Sequence, residues 1–195
     1  MHRFKLWIGL AALVALISTG LAVAHGSAKG TQPVSATFTA APSPDNKTQT
    51  CKGVDGTYNI TRGTYTGTAT STTTPPDPRL TGNITIRAKS VVNTTNGYGW
   101  TVGQVELRNP ASGKLKGKAN LSAVNTQNGV LNGFLLGRVH DPGAALVANF
   151  SAAFSADGKS LSGELGGEAT VAPKNSAILF SGTGCEDKHS DNHKK

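Results

Sequence analysis

Beyond its first two dozen residues this chain has no long apolar run, and no segment repeats apolar residues at helical spacing over a useful length. An all-helical fold therefore has no support, nor does a helical membrane span beyond the N-terminus. Cysteine is scarce: Cys51 and Cys185 are the only two in 195 residues. Neither has a second cysteine at ligand spacing, which removes a cysteine zinc site. Tryptophan is confined to Trp7 and Trp100. Acidic residues are few, 11 against 19 Lys and Arg. There is no Gly-x-Ser-x-Gly elbow, and neither Gly97-Tyr98-Gly99 nor Gly182-Thr183-Gly184 opens a helix as a phosphate loop does. These absences leave no motif for a cofactor, a metal or a nucleotide.

The N-terminus has the three-part form of a secretory leader. His2, Arg3 and Lys5 give a basic start, Leu6 to Val23 an apolar run, and Ala22-Val23-Ala24 a small-x-small cleavage site. There is no twin arginine, and no cysteine follows the run as a lipid acceptor. The expectation is a signal peptide at 1–24, cleavage near Ala24, and a secreted, extracellular product without a membrane anchor. Removing Arg3 and Lys5 leaves 17 basic against 11 acidic residues, a net +6. In an oxidising compartment Cys51 and Cys185 are expected to pair.

Residues 25–50 are rich in Ser, Thr, Ala and Pro, with Phe38 the one bulky side chain, and read as a disordered linker. Residues 186–195 read as a disordered charged tail. Between them, 51–185 is expected to form one domain. Its hydrophobic pattern has a period of two, and turn signals such as Asn96-Gly97, Asn128-Gly129, Asp141-Pro142-Gly143 and Asp157-Gly158 divide it. Strands are predicted near 57–70, 80–92, 99–109, 114–124, 130–139, 144–155, 159–169 and 176–183; a break at Arg62-Gly63 would make nine. An apolar residue followed two places later by glycine and then by another apolar residue recurs, as in Tyr65-x-Gly67-x-Ala69 and Leu131-x-Gly133-x-Leu135. All these positions fall on one face of their strand.

A meander with one dry face predicts an all-β fold, an eight-stranded antiparallel up-and-down barrel, with a β-sandwich as the alternative. In a flat sheet of eight strands the two edges lie roughly 34 Å apart. A disulfide needs its α-carbons within about 6 Å. Pairing Cys51 with Cys185 would thus clasp the first strand to the last.

The inward positions combine many glycines and alanines with Tyr65, Ile84, Ile86, Leu107, Leu121, Leu135, Phe150, Phe154, Leu165 and Phe180. Two readings follow: tight coiling round a filled centre, or an apolar pocket at one end. The candidate ligand-binding residues are Tyr65, Tyr98, Trp100, Phe150, Phe154 and Phe180. Gly99-Trp100-Thr101-Val102 is similar to a stretch of the biotin-binding avidin barrels. Those sites use several tryptophans, so biotin is not carried over. Arg87, Lys89, Arg108, Lys114, Lys116 and Lys118 form the candidate basic surface, either a solvated wall or an attachment face for an anionic extracellular polysaccharide. Nucleic acid is disfavoured because no aromatics are interleaved with these lysines.

Catalytic groups are sparse. His140 lies in a turn sequence, and Glu164 and Glu168 would stand roughly 13 Å apart along a strand. His189 and His193 lack the glutamate of a His-Glu-x-x-His site. The expectation is a non-enzymatic protein that binds a small apolar ligand inside or an anionic polymer outside, or else an inert scaffold of the cell exterior. A barrel isomerase or cyclase would need a polar group within, for which Tyr65 is the candidate.

Overall fold

A computed structural model of the chain describes residues 33–126 and 129–166. Among them are nine strands: β1 Ala36–Pro42, β2 Lys47–Gly53, β3 Gly56–Ser71, β4 Gly82–Asn93, β5 Gly99–Arg108, β6 Leu115–Asn125, β7 Val130–Val139, β8 Ala144–Phe154 and β9 Leu161–Leu165. The predicted leader, the strand at 176–183, Phe180, Cys185 and the charged tail lie outside the described residues.

Every neighbouring pair is antiparallel, and the sheet closes because β1 pairs with β9 on one side and with β3 on the other. The fold is an eight-stranded antiparallel barrel with β2 as an extra strand, which excludes the sandwich. Stepping round the ladder from Ser71 through Ala36, Leu165, Phe150, Gly133, Ala123, Thr101 and Ser90 returns to β3 at Thr61. That is ten residues along the strand, a shear of ten, which tilts the strands by roughly 40° to the barrel axis.

The closing strand comes from the segment read as a linker, which corrects both its boundary and the placing of the seam. Small residues are what a barrel of this shear accepts at its seam: Ala36 and Ala40 are buried, and Phe38 enters the core to stack on Phe150 with centroids 5.6 Å apart. The outward threonines Thr37 and Thr39 suit a strand as well as they suit a linker. β1 and β2 lie one after the other along the same edge of β3, separated by a jog at Ser43–Asn46. Ser43 N donates to Thr64 O and Asn46 Oδ1 accepts from Thr64 N, so the jog stays tied to β3. Beyond it, β2 and the first half of β3 rise as a hairpin past the end of the barrel ring.

Cys51 is on that hairpin, opposite Tyr58 and outside the eight-strand ring. Closure is achieved by β1, so the expected clasp of first strand to last is not how the seam is made. No free cysteine occurs among the described residues.

Among the described residues the inward side chains form one buried apolar cluster. Ile84, Ile86, Leu107, Leu121, Leu135, Phe150 and Leu165 are buried together, as their inward parity predicted. Inward glycines face alanines across the ladder at Gly67–Ala40, Gly103–Ala88, Gly133–Ala123, Gly137–Ala119 and Gly163–Ala152. A Cβ on Gly137 would lie 2.1 Å from Lys118 O and 2.4 Å from Ala119 Cα. The glycine motif is therefore a device for close strand approach. At the end opposite the hairpin, the short 3-10 turn Pro78–Leu80 plugs the barrel with Leu80. Asp77 caps this turn through Arg79 N and holds the Arg79 guanidinium at 2.6 Å.

Candidate functional site

The candidate aromatics divide between two places. Tyr65 and Phe154 meet at the hairpin end of the barrel, centroids 5.7 Å apart, and Phe154 is 41% exposed there. Phe150 is buried deeper, against Phe38. Trp100 does not point into the barrel with them. Its parity on β5 turns it to the outer wall beside Val91 and Val124, with Lys89 Nζ 5.6 Å from the ring centroid. Tyr98 belongs to the β4–β5 turn, which is held by Asn93 N donating to Tyr98 O and Tyr98 N donating to Asn96 Oδ1.

The expected basic surface separates into local pairs. Lys114 binds Asp141 at 2.6 Å. Lys116 Nζ donates to Pro78 O and Thr81 O at 2.6 and 2.7 Å and so fastens the plug turn. Arg87, Arg108 and Lys118 converge on Glu106 at 3.5, 3.1 and 3.4 Å. Two cations that the sequence reading left out supply a different grouping. Lys47 on β2 pairs with Arg62 on β3, and Arg62 with Lys89 on β4, so three cations stand side by side on one face. With Arg87 one step along β4, they line a groove of about 660 Å³ at the jog, where, among the described residues, Asp45 is the only acid.

Family models, curated proteins and solved structures give no match to this chain.

The charges of the groove are poorly compensated. Arg87 is shared with Glu106 and Lys89 with the face of Trp100, while Lys47 and Arg62 are exposed. Glu106 is nearly buried among its cations, and the Arg108 guanidinium bonded to it, aided by Lys118 and Arg87, holds its carboxyl below the usual range. Arg79 does the same for Asp77. A carboxyl depressed in the folded state contributes stability that is present above its unfolded pKa and lost as pH falls through the folded one. The barrel is thus expected to weaken below about pH 4. Glu106→Gln should remove part of that acid sensitivity and cost about 1 kcal/mol at neutral pH, since its partners are half exposed. Urea unfolding of both proteins across the acid range checks this, and parallel pH profiles would refute it.

Among the described residues no three His, Cys, Asp or Glu side chains gather at metal-binding distance. His140 is an exposed turn residue, and Glu164 faces outward on β9 opposite Ser151 and Thr37. Glu168, His189 and His193 lie outside the described residues.

Proposed function

We propose that this protein is a non-enzymatic exported barrel that holds an anionic polysaccharide of the cell exterior in the groove between the β1–β2 jog, β3 and β4. The observation that carries the reading is the lateral row Lys47–Arg62–Lys89, with Arg87 adjacent, along one groove. Three adjacent strands space the row over roughly 10 Å, a length suited to carboxylates or sulfates on linked sugar rings. Long-range attraction would be strong at low salt and reduced once the Debye length falls to about 10 Å or less. The buried apolar cluster of the described interior supports this reading over an apolar ligand within the barrel.

The test is affinity chromatography and direct binding to heparin and polygalacturonate. The Lys47→Gln, Arg62→Gln, Lys89→Gln triple variant should bind about tenfold more weakly at 0.1 M salt, from roughly 0.5 kcal/mol for each exposed cation removed. A Lys114→Gln, Lys118→Gln variant should bind normally. The reverse pattern would locate binding on the original basic strand and reject the groove.

The second reading, a filled scaffold of the cell exterior, is favoured by the same packed core and predicts that neither variant differs from the parent.

Export and the Cys51–Cys185 disulfide belong to this proposal. The leader at 1–24 and the oxidising compartment it implies support them. The pair would tether the C-terminal segment to the β2–β3 hairpin. Its loop exceeds a hundred residues, so the chain-entropy model assigns it about 5 kcal/mol. Protein recovered from the medium should start near His25 and gain two hydrogens in mass on reduction. An unprocessed N-terminus or two alkylatable thiols would count against these two points.

A further inference from the structure

We infer that the hairpin end of the barrel is a binding site for a neutral sugar unit, with the Phe154 ring as its platform. This site is separate from the basic groove and does not rest on it. Each step round the tilted ladder climbs by about 3 Å. Inward positions near the end of β8, the start of β5 and the end of β6 therefore come level at this mouth.

The side chains assembled there have one consistent chemistry. Phe154 exposes part of its ring, tilted on Tyr65. Burial raises the Tyr65 pKa. Thr101 Oγ1 lies 3.0 Å from Ser90 Oγ and 2.9 Å from Asn125 Oδ1. One hydroxyl proton satisfies only one of these contacts; with it on Asn125 Oδ1 the Ser90 hydroxyl donates to Thr101 Oγ1, which leaves the Ser90 oxygen to accept and the Asn125 amide to donate. Above them the same face of the hairpin carries Thr48 bonded to Thr61 and Thr50 bonded to Asn59, at 3.0 and 2.8 Å.

An exposed aromatic ring across the mouth from clustered hydroxyl and amide groups, with no carboxylate or guanidinium among them, matches an uncharged polyhydroxylated ring. The apolar face of such a ring stacks on Phe154, and its hydroxyls exchange hydrogen bonds with Ser90 and Asn125, which the buried Thr101 hydroxyl holds in place. A purely apolar ligand would strip water from these groups without replacing it. An anionic one would find no cation at Phe154, Thr101, Ser90 or Asn125.

The test titrates the full secreted chain with short cello-, manno-, xylo- and chito-oligosaccharides while following backbone amide shifts. At least one series is expected to shift Ser90, Thr101, Asn125 and Phe154 together in a saturable way. Phe154→Ala should weaken that binding about tenfold, and Thr101→Val, which keeps side-chain shape, several-fold. Neither variant should change polygalacturonate binding. Saturable binding of an apolar dye at Phe154 with no response to any sugar overturns the inference. So does a sugar response that Phe154→Ala leaves intact.

Discussion

Replacing Phe38 with alanine is expected to destabilise the barrel by about 3–5 kcal/mol, the usual cost of removing a buried aromatic ring. The size of the effect would be out of place for a residue in a flexible leader segment. Phe38 is 3% exposed, stacks on Phe150, and belongs to the one strand that contacts both β3 and β9. Its loss opens a cavity at the seam, where β9 supplies only five residues and has little pairing to spare. Deleting the chain through Pro42 should go further and prevent a folded state. Equilibrium urea denaturation measures the first, and the dispersion of amide resonances the second. A Phe38→Ala protein within 1 kcal/mol of the parent would mean that β1 is not part of the cooperative unit.

The prediction depends on the strand hardest to read in the sequence. Seven strands were legible because large apolar residues alternate in them with polar ones: β3 through β9 lie within a few residues of their expected places. β1 has the same alternation, Ala36-Thr37-Phe38-Thr39-Ala40, but two of its three inward residues are alanine. Alanine registers as neutral in a hydrophobic pattern, yet at a crowded seam it is the residue that fits. β2 was illegible for another reason. Both of its faces are polar, its burial is slight, and only its pairing with β3 identifies it as a strand.

The candidate site was harder still, because a basic groove is a property of register. Arg87 and Lys89 are close in sequence and were noticed. Lys47 and Arg62 are fifteen residues apart, and they adjoin only because β2 turns back on β3 at Val54-Asp55. Conversely, Lys114, Lys116 and Lys118 form a conspicuous run, but Asp141, two backbone carbonyls and Glu106 each claim one of them. Alternation placed them on a common face; it held no information about what would stand opposite. The aromatics divided in the same way. Parity placed Tyr65, Phe150 and Phe154 inside, and the same rule applied to Trp100 turns it outward, away from the apolar pocket it was a candidate to line.

Gly67→Ala is expected to cost about 3 kcal/mol or more, the upper range for overpacking in a close-packed interior. The added methyl would lie 1.9 Å from Thr39 O and 2.6 Å from Ala40 Cα, both backbone atoms of β1. No side chain can rotate to make room, so β1 has to move away from β3 and loosen the seam that Phe38 fills. Gly113 provides the control. It has a φ of +67°, so alanine there meets backbone strain of about 1–2 kcal/mol, but nothing lies within 4 Å of the added atom. If the repeated inward glycines exist for close approach, Gly67→Ala should lower the urea midpoint well beyond Gly113→Ala at an unchanged m-value. Equal effects would instead assign the motif to chain flexibility. The outcome bears on packing as well, because the tight Gly–Ala approaches bring the strands close enough for the inward side chains to form one buried cluster.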